Sequence, residues 1–415
     1  MIRIKYLLGL LLLLLIGNLD AQNNTSSPYS VFGVGQMAQR GDVVTSSMGH
    51  AGVAVSSPGW LNTLNPASYT ALDSTAFYFN MQVDGYHSTI ESDAQKQDNI
   101  NGNISAFSMG FKASRNWGIG IGYMPYSSVG YSIQGQKYLL GTISTYPVLY
   151  EGSGGLSQIY WANSVKLFKG FSAGVNLSYL WGNLKVTESS TFPSLTSNVI
   201  FNERTYYMHN FYFEYGFQYG FNIKNHTIGI GAVANAQTRL TSNFQQKVFN
   251  DYSSNIYSEE SEAKDFSVPM SYSAGLSWDM PNGLLLAADY GYQNWQAINN
   301  PKSESAVYVD NHRFSFGVEY GAKKKTYKSY MLRMKYRAGL FYNSGYLELK
   351  SNRLTEKGLT AGLTFPLGSR GNLLNLGYEY LLNGSRKQGL MEETRHTFRL
   401  GLTINEMWFM KRKFD

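Results

Sequence analysis

Residues 210–221 read NFYFEYGFQYGF. Every second side chain is aromatic (Phe211, Phe213, Tyr215, Phe217, Tyr219, Phe221), while the other parity carries Asn210, Tyr212, Glu214, Gly216, Gln218 and Gly220. Successive side chains of a strand point to opposite faces, so this period of two sets one oily face against one small, polar face. The same split recurs in Phe171, Ala173, Val175, Leu177, Tyr179, Trp181 against Ser172, Gly174, Asn176, Ser178, Leu180, Gly182, and in Phe398, Leu400, Leu402, Ile404 against Thr397, Arg399, Gly401, Thr403. A soluble sandwich would carry charge on its outward parity. Here that parity is mostly Gly, Ser, Thr, Asn and Gln, which suits a crowded polar lumen, and the apolar parity ends in Tyr and Trp, as a lipid-facing band with aromatic girdles does. An open edge in hydrocarbon would leave backbone groups unpaired at several kcal/mol each, so such a sheet must close on itself.

Composition agrees with this reading. Of 415 residues, 15% are aromatic and only 15% charged, against about 25% charged in a soluble protein. Cysteine is absent, which excludes disulfide scaffolds, thiolate metal sites and cysteine nucleophiles. One strongly apolar run, Leu7 to Gly17, is too short for the ~20 residues of a membrane-spanning helix. With Arg3 and Lys5 before it and Leu19-Asp20-Ala21 after it, residues 1–21 read as a signal peptide. The formal net charge of +7 is modest and includes no run of five like charges, so nothing calls for nucleic acid.

Alternating segments begin near Thr75, Asn103, Trp117, Gly155, Phe171, Thr205, Thr227, Ser267, Leu284, Asn311, Tyr330, Gly358, Asn372 and Thr394. That makes an all-β chain: an antiparallel transmembrane barrel of about fourteen strands over residues 74–415. Short turns at 115–116, 168–170, 224–226, 281–283 and 368–371 alternate with polar stretches at 91–101, 135–152, 188–204, 247–264, 297–308, 344–356 and 385–393, as in outer-membrane barrels with short periplasmic turns. Residues 22–73 alternate weakly and carry Pro28, Pro58 and Pro66. About eight strands already enclose all that inward side chains fill, so this segment is expected inside the lumen as a plug.

A small-residue N-terminal segment with Asn65-Pro66-Ala67, followed by fourteen strands, resembles the FadL-type long-chain fatty-acid transporters of the outer membrane. Three further passages resemble that family: Met48-Gly49-His50-Ala51-Gly52-Val53-Ala54 its glycine-rich hatch, Val268-Pro269 with Gly275-Leu276 its proline-led mid-barrel strand, and Asn405-Glu406-Met407-Trp408-Phe409 its aromatic end. The resemblance implies the outer membrane of a Gram-negative bacterium and passive uptake of hydrophobic compounds such as long-chain fatty acids. It also implies a plug that shifts, with Asn65, Pro66, Ala67, Gly49 and Gly52 as its gate or anchor residues. In that family a kink in the third strand opens a lateral gap. Here Pro125, flanked by Gly122 and Gly130, interrupts the third strand; proline cannot donate a ladder bond and the glycines permit a bulge. An exit into lipid spares an apolar cargo roughly 0.8 kcal/mol per CH2 of contact with water. The alternative is a bulge with a structural role only.

Inward parity also carries Glu214, Asp289, Arg313, Glu319, Arg333, Lys335, Arg337, Glu379, Arg395 and Arg399. An amphipathic acid needs a cation at one end of its tunnel, so Arg313, Arg333, Lys335, Arg337 and Arg399 are the candidate ligand residues. The competing reading is that these charges pair across the lumen and tie the plug to the wall. The six histidines show no metal-ligand spacing, and His87-Ser88, the one pair suggestive of a hydrolase, points to opposite faces of its strand. Gly33-Val34-Gly35 and Gly118 to Gly122 lack the helix that a nucleotide loop requires. No enzyme, cofactor or metal is expected. The partners are hydrophobic small molecules and outer-membrane lipid. In a second reading, the barrel serves as a docking or structural partner of secretion-machine or surface-assembly proteins, as PorV-like relatives of that family do in type IX secretion. An open diffusion porin would need the N-terminal segment outside the lumen.

Overall fold

A computed structural model describes residues 27–93, 95–192, 199–252, 255–263, 266–298, 306–321, 329–368 and 371–408. Fourteen antiparallel strands close into a barrel. In chain order they are β1 (Ala76–Glu91), β2 (Lys96–Ser114), β3 (Trp117–Tyr138), β4 (Thr145–Phe168), β5 (Phe171–Thr191), β6 (Val199–Ile223), β7 (His226–Asn235, continued past a kink by Thr241–Asn250), β8 (Asn255–Ala263, continued by Ser271–Asp279), β9 (Leu284–Gln293), β10 (Asn311–Gly321), β11 (Lys335–Asn343), β12 (Glu356–Leu367), β13 (Asn372–Asn383) and β14 (Glu392–Met407). β1 pairs with β14 from Ala76↔Met407 to Glu91↔Glu392, so the ring has no seam at its ends. Among the described residues no helix is long and apolar enough to cross a membrane. The alternation decides which face is which: Phe211, Phe213, Tyr215 and Phe217 of β6 are exposed outside, while Tyr212, Glu214 and Gln218 are buried inside.

Five strand starts need correction. β2 begins at Lys96 rather than near Asn103, and β6 at Val199 rather than near Thr205. β4 begins at Thr145 rather than near Gly155, and β8 at Asn255 rather than Ser267. Much of 135–152, 188–204 and 247–264, read as loop, is strand. There both faces meet water and the apolar alternation disappears, but the ladder bonds continue. β11 begins at Lys335 rather than Tyr330, because Met331–Arg333 forms a 3-10 turn. The proposed signal peptide (1–21), the turn residues 322–328 and Phe409 lie outside the described residues.

Residues 27–73 run through the ring. Tyr29 donates to the Met391 carbonyl (2.6 Å) at the end with long connections, beneath a small sheet of Ala306–Tyr308, Leu347–Leu349 and Asn352–Arg353. Gln36–Met37 then pairs with β3, and α1 (Val43–Ser46) starts at an Asp42 N-cap whose side chain accepts from Thr45 N. The 3-10 turn Pro66–Ala71 leads into β1. Inward glycines let this chain approach the wall. A Cβ on Gly339 would stand 2.2 Å from both Gly49 N and Met48 C, and one on Gly174 would stand 2.5 Å from Pro66 C. Gly120, Gly216, Gly231, Gly317, Gly362 and Gly401 meet other plug residues in the same way, forming a belt around the lumen.

Candidate functional site

The plug is held by atoms on opposite sides of the barrel. Asn65 Nδ2 donates to Val53 O (2.8 Å) and to Phe217 O of β6 (3.0 Å), while its Oδ1 accepts from Ala67 N (3.0 Å) and so caps the turn that Pro66 begins. Gly49 N donates to Thr360 Oγ1 of β12 (2.8 Å). Gly52 N and Val53 N both donate to Asp289 Oδ2 of β9, at 2.6 and 2.9 Å. The five residues read from the sequence as gate or anchor thus all contact the wall or its belt.

Charges reinforce these anchors. Arg40 forms a two-pronged pair with Glu214 of β6, NH2 to Oε1 at 3.0 Å, and Asn176 Nδ2 also donates to Glu214 (3.2 Å). His50 Nε2 faces Glu379 Oε2 of β13 at 2.8 Å, and the same oxygen accepts from Arg399 NH1 (3.0 Å). Arg399 Nε also lies 3.4 Å from Asp84 Oδ2 of β1. Burial lowers His50 below its ordinary 6.5 although Glu379 opposes the shift. Burial likewise pushes the Asp42 carboxyl up to about 6, against the bonds it accepts from Thr45. Burial opposes the charge on Arg40, but Glu214, Tyr212 and Tyr126 together raise its pKa, so it stays a cation.

The five candidate ligand cations separate into paired and unpaired. Arg337 donates from Nε to Glu319 (2.6 Å) and from NH1 to Thr364 (2.5 Å), and Lys335 donates to the other oxygen of Glu319 (2.7 Å), so both are paired to one carboxylate of β10. Arg399 is held as above. Arg333 is a correction: it lies in the 3-10 turn before β11, exposed, with its guanidinium 5.2 Å over the Tyr330 ring, because the strand parity that would have turned it inward has not yet begun. Arg313 is the one of the five with a buried nitrogen that has no hydrogen-bond partner among the described residues. It bonds Gln39 through NH1 and Ser315 through Nε (3.4 Å) and lies 5.0 Å over Phe341, yet its NH2 is buried with no partner among the described residues.

Arg313 lines a luminal cavity of about 210 Å³ between plug residues Met37–Arg40 and the wall residues Met124, Pro125, Tyr126, Glu214, Asp289 and Glu356. Arg40, Gln39 and Glu356 carried no sequence signal, since nothing local says which charge meets which across a lumen. Outside the cavity, Val34, Val129, Leu156, Leu180, Leu184, Met208, Leu240 and Phe266 pack into an apolar cluster within the ring.

The cavity abuts a parted seam. β2 and β3 pair from Ser114↔Trp117 only as far as Phe107↔Tyr123. Just beyond, Pro125 pairs with Ser157 and Ser127 with Leu156 of β4, leaving Tyr126 as a bulge. The plug strand fills the vacated place: Gln36↔Ser128 and Met37↔Ser127 pair, Ala38 N donates to Tyr126 O (2.9 Å), and Ser30 Oγ accepts from Gly130 N (3.1 Å). Gly122 sits inward where a Cβ would stand 2.5 Å from the Tyr160 hydroxyl. Pro125, Gly122 and Gly130 therefore flank one feature, a gap in the wall closed by the plug.

A family model described as BamG matches residues 1–415. Solved structures share the fold at low identity: the CymD monoaromatic hydrocarbon channel (16% identity, TM-score 0.57, 88% of this chain and 97% of that one), a Pseudomonas aeruginosa FadL homologue (10%, 0.59, 91% and 100%) and the Pseudomonas putida toluene transporter TodX (14%, 0.59, 91% and 100%). Among curated protein sequences none matches the chain.

Proposed function

The chain belongs to the BamG family, and from that membership and the plugged barrel we propose that it lies in an outer membrane and admits small hydrophobic compounds, without catalysis or cofactor. The observation that carries this reading is the parted seam backed by the cavity: cargo entering from the long-loop end would rest against Met37, Met124 and Tyr126 and leave sideways between β2 and β3 once residues 34–40 move. A cavity of about 210 Å³ exceeds the ~150 Å³ that suffices for benzene and falls short of the roughly 300–1,000 Å³ of drug-sized pockets. One-ring compounds therefore fit this reading better than long-chain fatty acids. Arg313, which lines the cavity and has a buried NH2 without a partner among the described residues, would receive a polar end once its guanidinium turns toward the cargo.

A lock tests the route. Gln36 and Ser128 are register partners, and antiparallel partners stand about 4.5–5.5 Å apart at Cα, within disulfide reach. Gln36→Cys with Ser128→Cys in this cysteine-free chain is expected to lower initial uptake of labelled toluene by cells to that of cells lacking the protein, with recovery under reductant. Undiminished uptake in the oxidised form refutes the seam as exit.

A second reading, a barrel that docks to a secretion or surface-assembly machine without transporting, is favoured by a different observation. The plug is tied down by Arg40–Glu214 and by His50–Glu379–Arg399, and the cavity wall is more charged than an apolar tunnel requires. Uptake equal to that of cells lacking the protein, with no apolar molecule co-purifying, would decide for docking.

A further inference from the structure

Beyond the lipid-facing band, half of the barrel continues as an open wall. The outward side chains of β3 are Trp117, Ile119, Ile121 and Tyr123 up to the bulge, and Ser132, Gln134 and Gln136 after it, so the strand leaves the apolar zone near Pro125. From there the ladders of β3 with β4 (to Tyr138↔Thr145), β4 with β5, β5 with β6, β6 with β7 and β7 with β8 (Ser242↔Ala263 to Phe249↔Asn255) go on, building a six-stranded sheet. Its two edges are Tyr131–Tyr138 of β3 and Asn255–Ala263 of β8. Among the described residues neither edge has a second strand: the pairing of β3 with β2 has ended at Tyr123 and that with the plug at Ser128, and the plug turn Pro28–Val31 lies against only the start of the edge, where Ser30 bonds Gly130.

The two edges are built differently. The β8 edge carries Glu259, Glu260 and Glu262, charges of the kind that keep a strand edge from pairing. The β3 edge carries one charge, Lys137, and that ammonium is bound to Glu188 across the sheet. What it presents is backbone flanked by Ser132, Gln134 and Gln136 on one face and by the exposed Ile133 on the other, where Tyr131 is buried in the luminal cluster. Directly past it the hairpin tip holds Leu140 at 99% and Ile143 at 96% exposure, two aliphatic side chains held in water by a turn in which Leu139 N donates to Ser144 O (2.9 Å).

We propose that the β3 edge, Tyr131–Tyr138, is a docking site for an extended strand of a partner protein at the cell surface. Sheet addition supplies the affinity through main-chain hydrogen bonds. The edge spans about 25 Å at ~3.3 Å per residue, so the occupant is a strand of about eight residues. Its chemistry follows from what it extends: uncharged beside Ser132 and Gln134, apolar where it continues Ile133, and apolar again at the end that covers Leu140 and Ile143. The inference deepens the docking reading above and rests on it.

The test is amide hydrogen exchange over residues 130–138 of the full chain, in native outer membranes and in liposomes containing this protein alone, alongside Ser132→Lys/Gln134→Lys/Gln136→Lys, which gives this edge the protection that β8 already has. Expected are exchange at least tenfold slower in native membranes than in liposomes, loss of that slowing in the triple variant, and an unchanged heat-shifted mobility of the barrel. Equal exchange in both membranes overturns the proposal, whether fast, which leaves the edge uncovered, or slow, which makes the cover lipid or a second copy. Native gel electrophoresis separates this from the parent reading: a larger complex that survives in the triple variant refutes the edge while leaving docking intact, and no larger complex in either refutes both.

Discussion

Gly339→Val should unseat the plug without harming the barrel. The Cβ it adds would lie 2.2 Å from Gly49 N and from Met48 C, both backbone atoms, where ordinary contact begins at 3.4 Å, so the plug must retreat by about 1.2 Å. Overpacking of this kind costs about 1–3 kcal/mol. The retreat also stretches the bond from Gly49 N to Thr360 Oγ1 and that from His50 to Glu379, worth about 1 and about 1.5–3 kcal/mol respectively. Together these oppose docking by about 4–7 kcal/mol. At 1.4 kcal/mol per factor of ten, the unplugged population rises at least several-hundredfold. Single-channel recording in planar bilayers reads this directly: wild type stays closed, and the variant shows frequent openings of barrel size. Gly85→Val is the internal control, since nothing lies within 4 Å of the Cβ it would add. If Gly339→Val folds, as judged by heat-shifted mobility, and conducts no more than the Gly85 control, the belt does not seat the plug.

Acidification is a second route to release. Burial keeps His50 neutral in the docked plug among Glu379, Arg399 and Arg313, so its folded pKa is depressed. The stability it contributes is present above about 6.5 and lost as pH falls below that value; openings should increase between pH 7 and 5, and less so in His50→Gln. Arg40→Met leaves Glu214, 1% exposed at its side chain, without its cation. Removing one partner of a buried pair costs about 3–5 kcal/mol, and Arg40→Met/Glu214→Gln should recover most of it in urea titrations of plug release. Arg313→Gln should lower uptake of benzoate relative to toluene about tenfold, the worth of one charge-assisted bond, with unchanged thermal stability; an unchanged ratio removes Arg313 from the ligand path.

The barrel was legible because its logic is local. Each strand must set apolar side chains toward lipid and small or polar ones inward, so NFYFEYGFQYGF alone states its secondary structure and both its faces, and repetition of that pattern gives the strand number. Pro125 marked the bulge for the same reason: a missing N–H is a property of one residue. Strand ends were less legible where β3–β8 rise clear of lipid, because water accepts either face and the alternation lapses; Arg333 was misplaced because a 3-10 turn delays the parity of β11.

What meets inside the lumen lay beyond the sequence. Arg40 and Glu214 are 174 positions apart and His50 and Glu379 are 329 apart; only closure of the ring brings them within bonding distance, and only then does one candidate, Arg313, keep a buried nitrogen without a partner among the described residues while Arg337, Lys335 and Arg399 are paired with carboxylates. The same holds for the seam. That β3 parts from β2 could be guessed from a proline, but that Gln36–Met37 takes the vacant place depends on where the plug passes the wall, which is set by the three-dimensional course of the chain and by inward glycines whose purpose is visible only against the backbone they admit.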